Sequence, residues 1–102
     1  MALTGAFLPQ AATVNIAVTG TTANVALGAV VGTTGSQVRV FNSGTAITYI
    51  AFGSSSAVTA TTAGLPIAPN SLEVIGIPYN TTYVAAIGTS GNTIFFTLGE
   101  GL

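Results

Sequence analysis

Apolar and polar residues alternate with a period of two through most of this chain, and no comparable 3.6-residue stripe competes with that pattern. Val14, Ile16 and Val18 are interleaved with Asn15, Ala17 and Thr19. Such alternation sends successive side chains to opposite sides of an extended backbone, the mark of strands that bury one face. It returns at Val25, Leu27, Ala29 and Val31, where β-branched residues favour a strand over the short helix that the alanines would permit.

Punctuation between these runs sets their lengths. Gln37 to Phe41 and Ala46 to Phe52 are separated by Asn42-Ser43-Gly44-Thr45, residues that tolerate positive φ or bond their own backbone, so the pair reads as a β-hairpin. Ala57 to Thr61 is a weaker strand candidate. Leu65-Pro66-Ile67-Ala68-Pro69-Asn70 cannot join the middle of a ladder because proline lacks a donor, which leaves a loop or a sheet edge. Leu72 to Ile77 follows, closed by Pro78-Tyr79-Asn80. Thr82 to Ile87 and Thr93 to Leu98 complete the set, with Gly88-Thr89-Ser90-Gly91-Asn92 as a second hairpin loop.

Seven or eight short strands at this spacing predict an all-β protein, an antiparallel sandwich of jelly-roll or immunoglobulin-like topology. No internal repeat of solenoid length is present. Residues 1–10 and Gly99 to Leu102 fall outside the regular pattern, so the expected organisation is an N-terminal arm, 1–10, followed by one sandwich domain, 11–102.

Charge is what narrows function. The 102 residues hold one arginine and two glutamates, Arg39, Glu73 and Glu100, with no His, Cys, Asp, Lys or Trp. General acid–base, nucleophilic and metal-assisted catalysis draw on the residue types that are missing, so an enzyme is not expected, nor a cofactor or a bound metal. A single arginine cannot neutralise a nucleic-acid backbone or hold an anionic membrane surface. Mean hydropathy is +0.75, yet the longest apolar stretch, Ala23 to Val31, is broken by Asn24 and Gly28 and falls short of the ~18–20 residues that span a bilayer. The first ten residues have no basic segment leading into a long apolar core, so no secretory leader is expected.

A surface covered by Thr, Ser, Asn, Gly and Ala, with a net charge of -1, carries nothing electrostatic to keep copies apart. Self-association is the expectation. Arg39 and Glu73 lie inside predicted strands, either as a cross-strand ion pair that fixes register or as contacts to another subunit. Glu100, between Gly99 and Gly101, reads as a flexible solvated tail or as a group docked on a neighbour. In the arm, Leu3, Phe7 and Leu8 either cap the core or enter a neighbouring subunit, with Pro9 marking the joint. Thr97-Leu98-Gly99-Glu100 has capping-box spacing without a helix to follow, and Asn80-Thr81-Thr82 is a formal glycosylation acceptor that reads as a turn.

Gln37-Val38-Arg39-Val40-Phe41-Asn42-Ser43-Gly44-Thr45-Ala46, Tyr49-Ile50-Ala51-Phe52-Gly53 and Pro69-Asn70-Ser71-Leu72-Glu73-Val74 resemble a group of small tailed-bacteriophage virion proteins. Val84-Ala85-Ala86-Ile87-Gly88-Thr89 and Leu98-Gly99-Glu100-Gly101-Leu102 extend the likeness, which runs from about Val38 to Leu102. The resemblance implies a structural component of the particle. The leading expectation is a capsid decoration (cement) protein, a homotrimer bridging major capsid subunits on the virion surface after synthesis in the host bacterial cytoplasm. The alternative is a tail or head-fibre component that binds a receptor or glycan, with Tyr49, Tyr79 and Tyr83 as stacking platforms.

Overall fold

The alternation resolves into nine short strands among the residues that the computed structural model describes, which are 7–9, 12–27, 36–77 and 81–101, with the backbone alone described at 7–9, 36, 100 and 101. They are β1 (Phe7–Pro9), β2 (Val14–Val18), β3 (Ala23–Ala26), β4 (Ser36–Asn42), β5 (Thr48–Gly53), β6 (Leu65–Ile67), β7 (Ser71–Ile77), β8 (Tyr83–Ile87) and β9 (Asn92–Gly101). Two antiparallel sheets result. One runs β2-β9-β4-β7, with β1 beside β2 along the same edge of β9; the other runs β3-β8-β5-β6.

Following the chain from β2, all connections but one change sheet, the exception being β5 to β6. That strand order is the jelly roll, two interlocked Greek keys, and it settles the choice against an immunoglobulin-like sandwich. The inner faces meet in one core: Ile16, Val18, Val38, Val40, Ile77, Ile94, Phe96 and Leu98 from the first sheet against Ile50, Ile67, Val84 and Ala86 from the second. Each comes from the alternate positions that the period of two selects, and among the described residues Phe96 is the largest fully buried side chain.

Several connections differ from the sequence reading. β4 and β5 do not form a hairpin, and neither do β8 and β9, because the partners in each pair belong to opposite sheets. Both loops are arches over the end of the sandwich. Two buried asparagines hold the first arch. Asn42 Nδ2 donates to Ala46 O (3.0 Å) and Ile67 O (3.1 Å), while its Oδ1 accepts from Gly44 N (3.0 Å). Asn92, at the start of β9, donates to the same Ala46 O (3.1 Å) and accepts from Thr45 N (3.2 Å). A Cβ on Gly44 would overlap the Asn92 side chain, so glycine is required there by space.

The candidate strand 57–61 is irregular, and residues 54–60 lie across the outer face of the second sheet. Asn24 Nδ2 donates to Ser56 O (2.9 Å), Ala60 N donates to Thr22 Oγ1 (2.8 Å), and Gly53 leaves room for Val58. This covering buries Ala60 and Ala85, which stand outside the main core. β6 with Pro66 is a sheet edge, as proline demands. The turn into β7 has Pro69 followed by Asn70 at φ 52°, with Ser71 Oγ donating to Ala68 O (2.7 Å). β3 ends at Ala26, and Ala29 and Val31 lie outside the described residues, as do Pro78-Tyr79-Asn80.

Residues 7–9 and 99–101 are also more regular than the sequence suggests. Phe7 pairs with Gly101, Leu8 with Glu100 and Pro9 with Gly99, so β9 continues beyond Leu98 and part of the expected arm is a strand of the chain's own sheet. Glu100 is therefore not in a loose tail; its backbone sits between Leu8 and Ser36 in the ladder.

Candidate functional site

The two sheets differ in what covers their outer faces. On the second sheet the chain's own segment 54–60 covers part of that face, near Asn24, Gly53 and Ala85; on the first, apolar side chains meet solvent. Leu72 is 57 % exposed and Val74 47 %. The register places Asn15, Phe95, Phe41 and Leu72 in one row across the sheet, and Thr97, Arg39 and Val74 in the next. Phe41 and Phe95 stack with ring centroids 6.2 Å apart and planes at 26°. At the margin Thr13 and Thr97 join their hydroxyls at 2.7 Å. Phe41, Phe95, Leu72 and Val74 thus form a contiguous apolar strip, edged by Arg39, Asn15 and the threonine pair.

Such a strip is built for contact. Clustered exposed apolar side chains rimmed by polar ones mark association surfaces on soluble domains. Among the described residues no three His, Cys, Asp or Glu side chains come together. No helix among them is long and apolar enough to cross a membrane.

Of the residues singled out from sequence, Arg39 lies in this face, exposed on β4. Glu73 does not join it there. Arg39 has Val74 directly opposite and Glu73 has Val40, and adjacent positions on a strand point to opposite sides, so the register does not set the two charges against each other as a cross-strand pair. Glu73 shares the parity of Ile77 in the core and of Ile75 packed against it, but at the uncovered margin of β7 it is exposed. Glu100 and Leu8 are register partners at the far end of the same sheet, Phe7 is next to them in β1, and Leu3 lies outside the described residues.

Sequence reasoning missed Leu72, Val74, Phe41 and Phe95 as surface residues. Their signal is local: Phe41 follows Val40, Phe95 sits between Ile94 and Phe96, and Val74 precedes Ile75, so these strands are apolar on both faces. A strand apolar on both sides needs a second burial partner.

The fold and this surface define a jelly-roll domain whose first sheet carries a contiguous apolar strip on its outer face. Compared with known proteins, the chain matches no family model, no curated protein and no solved structure.

Proposed function

We propose that this protein is a non-enzymatic structural subunit of a bacteriophage particle, a decoration protein that lies on the capsid surface and bridges major capsid subunits. The observation that carries the reading is the apolar strip of Leu72, Val74, Phe41 and Phe95 on a chain with three ionisable charges. It supports attachment by apolar and hydrogen-bonded contact, repeated over a lattice where many weak sites act together. The resemblance to small virion proteins supplies the particle, and the residue inventory supports the mechanical role.

Binding of this kind depends little on ionic strength, since few charges are screened. The deciding experiment is copy number: the chain is quantified by mass spectrometry against the major capsid protein in purified virions of a phage that encodes it. Occupancy on the order of hundreds per particle fits a shell protein acting through multivalency, whereas a handful moves the chain to a tail or fibre.

A further inference from the structure

We propose that two copies of this chain pair through β7, edge to edge and antiparallel about a two-fold axis at Val74, joining their first sheets into one continuous sheet. The inference stands apart from the phage reading and rests on the edges of the fold. Any sheet edge presents unpaired backbone donors and acceptors, and proteins protect such edges by shortness, proline, covering segments or charge. β6 is three residues long and contains Pro66. β3 is four residues long, and the 54–60 segment is bonded to it at Asn24 and just before it at Thr22. At the other side of the first sheet, beyond β9, the edge strands are β1, three residues with Pro9, and β2, five residues. β7 is the longest of these edge strands: seven residues without proline, paired to β4 along its whole length, with no partner on its other edge among the described residues, and carrying the exposed Leu72 and Val74.

Self-pairing also has a preferred register. A two-fold antiparallel contact centred on residue c sets residue i opposite residue 2c − i. With c at Val74, the midpoint of Ser71–Ile77, all seven residues pair; Val74 faces its own copy, Leu72 faces Gly76, and Glu73 faces Ile75. Moving the centre to Glu73 would put like charges directly opposite, which is unfavourable, and any shift shortens the ladder. The space above Gly76 is open, so the exposed Leu72 of the second copy has somewhere to lie. Leu72 and Val74 of both copies then form one apolar ridge across the junction. Their partners are neutral, and the chain's net charge of -1 offers little resistance to association. A contact of one strand pair belongs to the small end of interface sizes, so a weak dimer is expected, strengthened wherever copies are already concentrated.

The test uses the full chain in sedimentation velocity from micromolar to millimolar concentration. The wild type should dimerise, and Val74→Lys and Val74→Glu should each weaken the dimer by about fivefold, because residue 74 meets itself across the axis. An equimolar mixture of the two variants should recover association to near the wild-type level as a heterodimer. Val74 is half exposed, so both variants should keep the wild-type circular dichroism, and because Arg39 lies directly opposite residue 74 within the chain, Val74→Lys should unfold slightly earlier than Val74→Glu. Glu73→Gln gives an independent arm: the two Glu73 side chains are diagonal neighbours in this register, and removing their repulsion should tighten the dimer by about twofold. A monomeric wild type, an oligomer indifferent to charge at position 74, a mixture that fails to associate, or a Glu73→Gln dimer that is no tighter would each overturn the proposal.

Discussion

Replacing Asn42 by alanine tests whether the buried asparagine pair fastens the two sheets together. Asn42 is fully buried and serves three backbone groups, Gly44 N, Ala46 O and Ile67 O. Its loss leaves Gly44 N and Ile67 O without that partner, while Ala46 O keeps its bond from Asn92. An unsatisfied buried group costs about 1–3 kcal/mol, so two of them, partly relieved by relaxation, cost about 3 kcal/mol. For a domain near 100 residues each kcal/mol moves the midpoint by roughly 4–8 °C, which places the variant about 12–24 °C below the wild type. Asn92→Ala removes the partner of Thr45 N and again leaves Ala46 O with one donor. The double variant strips Ala46 O of both, so it should be worse than the sum of the singles by about 1 kcal/mol. Thermal and urea unfolding followed by circular dichroism give all four corners of the cycle. An Asn42→Ala shift below about 4 °C, or strict additivity, would refute the reasoning.

Thr48 is fully buried with no partner for its hydroxyl among the described residues, so Thr48→Val should raise stability by about 1 kcal/mol, read as a higher urea midpoint with an unchanged slope. Asn70 holds φ 52° in the turn before β7; Asn70→Ala should cost about 1 kcal/mol in the same assay while Asn70→Gly stays near neutral.

Alternation alone was enough to place β2, β4 and β7 nearly to the residue, and proline was enough to keep β6 out of the middle of a ladder, leaving a loop or an edge, of which the fold takes the edge. Pairing was harder to read. The Asn-Ser-Gly-Thr and Gly-Thr-Ser-Gly-Asn segments have the chemistry of any tight reversal, and a hairpin and an arch need the same residues locally. What separates them is the partner each strand finds across the core, with Asn42 bonding forward to Ile67 in β6 and Asn92 back to the 44–46 loop. The strand suggested at 57–61 fails for a related reason: its apolar residues, Val58 and Ala60, have a burial partner on the outside of the second sheet, so they need no ladder of their own. At the candidate site Arg39 was legible as the sole cation, but Leu72 and Val74 were hidden by the assumption that apolar strand residues face inward. Glu73 was legible as a charge in a strand, whereas its side of the sheet depended on register, which a single strand does not carry.

The pairing of β1 with the end of β9 governs how the subunit responds to load. Phe7, where β1 begins, lies opposite Gly101, where β9 finishes, so tension applied between these two points opens the ladder one rung at a time from that corner. Peeling meets the bonds singly, whereas sliding two strands along their length would meet them together. The β1–β9 ladder therefore yields to a smaller force when pulled apart between Phe7 and Gly101 than when the two strands are drawn along each other.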